Sequence, residues 1–181
     1  LDGYAELLEN LAPEQLREVV GHASDTVRAV AAEHDGTVLS IDDSCATVVF
    51  GVPVSQEDDA SRAVAAALAA TERVRELLGG VEGAVSLTLR TGLATGGMFT
   101  RLEESGEYSV AGDPARSAAR LADQAAADHV LIAPETARLV RHHYETEAAQ
   151  PLTLPGAADA GEPRHVSRRC DASGRWALSR D

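Results

Sequence analysis

The segment Glu107–Gln124, EYSVAGDPARSAARLADQ, decides the fold. Tyr108 to Ala111 alternate like a short strand, Gly112-Asp113-Pro114 breaks the chain, and a helical stretch follows with Arg116 and Arg120 four residues apart on one face. Asp113 has the chemistry of an N-cap and Pro114 that of a first helical residue, a cap typically worth about 1 kcal/mol. Both arginines then lie near the positive end of the helix dipole, where anions are favoured. The unit is strand, sharp turn, basic helix.

Working outward, Pro13 to His34 places Leu16, Val19, Val20, Ala23, Val27, Val30 and Ala31 at helical spacing. TVLSIDDSCATVVFG, from Thr37, reads as a β-hairpin whose turn lies near Asp42 to Ser44. Ser55 to Gly80 opens with acids, ends with Gly79-Gly80 and is a second core helix, so the acids of EDDA (Glu57–Ala60) are its first turn rather than a metal site. VSLTLRTGLATGG alternates like a half-buried strand; its glycines lack a Walker lysine and mark a bend. After the decisive helix come HVLIA as a strand, a helix from Pro134 to His143, and short PLTLPG and RHVS strands. This order predicts an α+β fold, a ferredoxin-like sandwich with one mainly antiparallel sheet covered by helices.

The chain has 181 residues, 44% of them hydrophobic and 25% charged, which suits one main domain. All 16 basic residues are arginine, and the formal net charge is −13. Such a charge argues against nucleic acid or an anionic membrane surface as a partner, though not against a small anion in a local basic pocket. Cys45 and Cys170 are too few for a disulfide framework, so a reduced, cytoplasmic protein is expected, and no apolar run reaches membrane-spanning length. Leucine stands first rather than methionine, so a longer parent chain is expected. The alanine-rich, lysine-free composition fits a high-GC bacterial source.

Three segments taken in order carry a resemblance: DGTV…VVFGVPVSQEDDASRAVAAALA, LTLRTGLATGG, and EYSVAGDPARSAARLA…HVLIAPETARLV. Together they resemble the catalytic domain of class III adenylate and guanylate cyclases, over residues 1 to about 166, with 167–181 left as a tail or linker. Gly3-Tyr4 and LTLPG fit the family's early and late segments. The resemblance implies a head-to-tail homodimer with active sites at the interface. It implies two aspartates holding two Mg2+ or Mn2+ ions that help activate the ribose 3′-hydroxyl, an asparagine and an arginine on one helix, and a lysine with an aspartate or threonine that selects the base.

Residue by residue, the resemblance breaks at the chemistry. The first metal aspartate falls just before Leu1, with Asp2 nearby but out of register. The second falls on Ser44, although a one-residue slip would let Asp43 serve. The base-selecting lysine falls on Ser40, its partner on Ser109 and the catalytic asparagine on Arg116; Asp113 opens the same helix. Only the transition-state arginine, Arg120, keeps its place.

Three readings follow from this pattern. In the leading one, a degenerate cyclase-homology domain serves as a dimerising or purine-nucleotide-sensing regulatory module without a cofactor. The alternative is a weak cyclase that converts ATP or GTP to cyclic nucleotide with Mg2+ or Mn2+ and Asp43. A pure protein-interaction module is the third. The tail GRWALSRD loosely resembles the entry to ATPase domains that follow such modules, which implies a C-terminal output domain in the parent.

Overall fold

The computed structural model describes residues 1–3, 9, 11–42, 44–79, 87–103, 108–152 and 162–170. Helix α1 (Pro13–Glu33) buries Leu16, Val19, Val20, Ala23, Val30 and Ala31, the apolar stripe that its sequence spaces at helical period. A proline at its first turn leaves no backbone donor wasted, and the Gln15 side chain accepts the Ala12 N–H at 3.3 Å. A hairpin follows, β1 (Thr37–Ile41) with β2 (Ala46–Val49), antiparallel and irregular between Val38 and Ser40. Helix α2 (Asp59–Gly79) packs on α1 through Val74 and Leu78, and Arg73 braces the pair by a two-pronged contact with Glu33 at 2.8 and 2.7 Å.

The remaining elements are β3 (Thr91–Leu93), β4 (Phe99–Leu102), β5 (Tyr108–Ala111), α3 (Asp113–Gln124), β6 (Val130–Ile132), α4 (Pro134–Val140), β7 (Tyr144–Ala148) and β8 (Arg164–Arg169). Strands β3, β6, β8 and β7 form a sheet in that order, while β4 and β5 pair as a separate hairpin. Only β3–β6 is parallel; every other pairing among the described strands is antiparallel. The fold is therefore α+β, with a mixed, mainly antiparallel sheet and covering helices.

Strand β6 is buried at every residue because helices cover it from both sides. Val130 and Ile132 join Val64, Ala67, Ala137 and Val140 of α2 and α4, whereas Leu131 joins Leu121 and Ala125 at α3. Strand β7, YETEA, has no apolar alternation to announce it and was not anticipated from the sequence; it is an edge strand, and RHVS, within β8, pairs with it and with β6. The β8 ladder runs past Val166, and the Cys170 N–H continues it to the His143 carbonyl at 2.7 Å. Residues 153–156 of PLTLPG and the tail 171–181 lie outside the described residues.

The glycine-rich TGLATGG is the seat of α3. A Cβ on Gly92 would stand 2.1 Å from the Ala118 carbonyl oxygen and 2.4 Å from the Ala122 nitrogen, and one on Gly96 would stand 2.8 Å from Pro114. Helix backbone cannot yield as a flexible side chain does, so α3 sits this close only because Gly92 has no side chain. Gly92→Ala is expected to lower stability by about 1–3 kcal/mol or more, as overpacking does. Gly97→Ala, whose Cβ would meet nothing within 4 Å, should stay within about 0.5 kcal/mol. Urea midpoints at constant slope check both.

Candidate functional site

The β1–β2 turn is organised by one carboxylate. Asp42 Oδ1 accepts the N–H groups of Ser44 at 2.9 Å and Cys45 at 2.7 Å and the Ser44 hydroxyl at 3.2 Å, while the Asp42 N–H reaches the Cys45 carbonyl at 2.9 Å. This is an aspartate turn, in which the side chain replaces missing main-chain partners. Those hydrogen bonds, the backbone N–H of Ser44 first, hold the Asp42 carboxyl below the ordinary aspartate range. Asp43 lies outside the described residues.

Ser44 is exposed, and its carbonyl accepts a hydrogen bond from the Leu1 nitrogen at 2.5 Å. The chain's first residue therefore rests on the hairpin turn. Asp2 turns the other way: its main chain exchanges hydrogen bonds with Thr88 at 2.8 and 3.1 Å, and its carboxylate pairs with Arg90. The out-of-register aspartate of the sequence thus has a partner of its own.

Helix α3 buries Ser117 and Leu121 beneath it and leaves Arg116 and Arg120 exposed. Gly112, not Asp113, occupies the N-cap, and no side chain caps the helix. Asp113 is already the first helical residue, and its carboxylate pairs with the Arg116 guanidinium one turn on. The reason is steric: the chain passes close to Gly97 and Met98 at Gly112, where a Cβ would sit 3.1 Å from the Gly97 carbonyl oxygen, so the small residue takes the capping position. Arg116 is therefore answered locally.

Ser40 is exposed at the irregular point of β1, and Ser109 is exposed on β5, two strands that touch each other. The Ser109 hydroxyl donates to Glu103 Oε1 at 2.5 Å. Glu103 was not singled out from the sequence, where it is one acid in a polar run; its position beyond β4, diagonal to Ser109 across the hairpin, is what brings it close. Arg90 was also missed, although its place just before TGLATGG was a usable signal.

A site for two divalent ions needs converging carboxylates. Among the described residues no group of three or more His, Cys, Asp or Glu side chains is placed to hold a metal ion. Ser44 offers a hydroxyl already donated to Asp42, and the Asp42 oxygen it meets carries two further hydrogen bonds. These donors do not fit the two-ion arrangement.

Residues 1–166 match the family model described as the adenylate and guanylate cyclase catalytic domain. The chain belongs to that family. The fold agrees: the guanylyl cyclase Cya2 superposes with a TM-score of 0.83 at 23% identity, over 96% of this chain and 91% of the other. The adenylyl cyclase CyaB from P. aeruginosa gives 0.79 at 22%, over 92% and 89%. The guanylate cyclase domain of RhGC from Catenaria anguillulae, solved in complex with GTP, gives 0.74 at 18%, over 93% and 92%. No protein of curated function matches. Class III cyclases as a family use Mg2+ or Mn2+, bind nucleotides and dimerise. No described helix is long and apolar enough to cross a membrane.

The Asp42 turn has a pH signature. A carboxyl held below its unfolded value contributes stability that is fully present above the unfolded pKa, about 3.9, and is lost as pH falls through the lower folded value. Asp42→Asn should therefore lower thermal stability at neutral pH and flatten the acid limb of Tm against pH below about 4, measured by scanning calorimetry between pH 2.5 and 7.

Proposed function

We propose that this chain is a cyclase-homology module that has exchanged metal-assisted catalysis for electrostatic recognition of a purine nucleotide, and that it acts as a dimerising regulatory domain of a bacterial, cytoplasmic signalling protein. The observation that carries the reading is the turn at Ser44. Where the resemblance puts a metal carboxylate stands a hydroxyl, and the nearest described carboxylate, Asp42, is spent on closing the turn. The change of the asparagine position to Arg116 works in the same direction, since each substitution makes the site more positive by one charge. Loss of a single preorganised electrostatic contact commonly costs about 10²- to 10³-fold in rate. Such losses do not add simply, but none of them favours catalysis.

In this reading Arg116, in the first turn of α3 at its positive end, and Arg120, one turn further along the same face, meet the phosphates. Ser40 and Ser109 face the base, with Glu103 holding the Ser109 hydroxyl. A base edge framed by short hydroxyls rather than by a lysine discriminates weakly between purines. The module would pass its state to an output domain following the tail.

Dimerisation is supported by the β4–β5 hairpin. Phe99 is 85% exposed and Leu102 59% exposed, the two most exposed large apolar residues of the hairpin. Pairing against a second copy would remove that surface from water.

Two measurements test the proposal. ATP or GTP at about 100-fold over Kd should stabilise the chain by about 2.7 kcal/mol in EDTA, read as a rise in Tm of about 5–10 °C. Arg120→Ala should remove most of that rise. A shift only with Mn2+, accompanied by cyclic product on mass spectrometry, would assign a working cyclase instead; no shift under either condition would leave an interaction module. Separately, Phe99→Asp should move the chain from dimer to monomer in sedimentation velocity without lowering the Tm of the monomer.

A further inference from the structure

The C-terminal end of α3 is held by a contact that no step above uses. Arg90 donates through Nη1 to the Asp123 main-chain carbonyl at 3.3 Å and through Nη2 to the Asp2 carboxylate. Its Nε is buried and has no hydrogen-bond partner among the described residues. The Asp123 carbonyl belongs to the last turn of α3, where carbonyls lack intrahelical donors and carry the negative end of the helix dipole. A guanidinium is suited to this place because its planar fork donates in two directions at once.

The other end of the fork leads to the candidate site. Asp2 is fixed to Thr88 by two main-chain hydrogen bonds, and the neighbouring Leu1 nitrogen rests on the Ser44 carbonyl. A continuous path thus runs from the hairpin turn through Leu1 and Asp2 to Arg90 and the end of α3. Helix α3 is pressed onto Gly92 at Ala118, near its middle, and at Ala122, beside the Asp123 carbonyl that Arg90 holds. These contacts hold the second half of the 12-residue helix, and its first turn follows from how that half is held.

We infer that Arg90 is a positioning residue for the nucleotide site: by tying the end of α3 to the segment that touches Ser44, it sets Arg116 and Arg120 relative to the hairpin turn. The inference rests on the nucleotide reading for its consequence and on the Arg90 contacts for its mechanism. Without the strap, α3 rocks on its Gly92 contact. Arg120 lies between the two contact residues and moves little, whereas Arg116, ahead of both, moves more.

The test uses the whole chain with Arg90→Gln, Arg90→Lys and Asp2→Asn. In the absence of ligand, hydrogen exchange followed by mass spectrometry should show amides in the last turns of α3 exchanging about tenfold faster in Arg90→Gln and Asp2→Asn. Arg90→Lys, which keeps the charge but reaches only one partner, should fall between. In EDTA, Arg90→Gln should weaken GTP or ATP binding about tenfold, and added to Arg116→Ala it should cost little more than Arg116→Ala alone, because Arg90 acts through that side chain. Unchanged exchange in α3 would overturn the inference whatever the nucleotide does, and so would fully additive losses of affinity. Faster exchange in the variants, when the unsubstituted chain binds no nucleotide, would overturn the nucleotide reading and the positioning role together while leaving the strap itself intact. Asp2→Asn, which leaves Arg90 in place, answers the same question should Arg90→Gln not fold.

Discussion

The close approach of α3 to β3 is the constraint on which the rest of the sheet depends. At Gly92 the strand and the helix backbone touch with no side chain between them. That contact lets Leu121 reach full burial against Leu131 and Ala133, which in turn gives β6 an apolar neighbour on the face opposite α2. A strand buried on both faces must be apolar throughout, and HVLIA is. The parallel β3–β6 pairing, the only one of its kind among the described strands, lies directly under this contact. Helix α3 is thus part of the core on one side and the carrier of two exposed arginines on the other.

Charge is distributed differently from packing. In a chain of net charge −13, several arginines of the described residues find an acid one turn away on their own helix: Arg75 with Glu72, Arg116 with Asp113, Arg138 with Glu135. Such exposed pairs contribute little stability. Arg62 is the exception in kind. Its side chain is mostly buried, and it joins Asp58 and Asp59 at the start of α2 to Asp35 and the His34 carbonyl at the end of α1, so that one guanidinium fixes the junction of two helices. Arg90 resembles it in linking distant segments rather than decorating one.

The parts of the fold legible in the sequence were those governed by apolar period. The stripes of α1 and α2 and the apolar run of β6 announced themselves, whereas the glycines of TGLATGG read as a bend and the contact of Gly92 with α3 did not show. Strand β7 did not, because YETEA sits at a sheet edge and needs only Tyr144 and Thr146 turned inward. At the candidate site, the resemblance offers Ser40, Ser44, Ser109, Arg116 and Arg120 as residues to weigh, by position alone. What they bond could not be read. Asp42 differs from Asp43 on paper by one place, yet the turn gives Asp42 two main-chain donors and a hydroxyl. Asp113 looked like a cap because capping is a local preference; the contact between Gly112 and the Gly97–Met98 segment, which overrides it, is not local.

The Asp113–Arg116 pair then decides how the proposed anion site behaves when empty. An exposed pair one turn apart on a helix is typically worth about 0.3–0.5 kcal/mol, while a hydrogen bond between guanidinium and phosphate is charge-assisted and stronger. A phosphate arriving at the start of α3 therefore displaces Asp113 at small cost, and Arg116 changes partner without a change of fold. In the empty state the same pair keeps an uncompensated cation from standing in an otherwise acidic surface. A two-carboxylate metal site has the opposite property, since its acids repel a triphosphate until divalent ions arrive. In the site proposed here, a hydroxyl at Ser44 and a guanidinium at Arg116 would remove that dependence and leave a recognition governed by ionic strength rather than by metal supply.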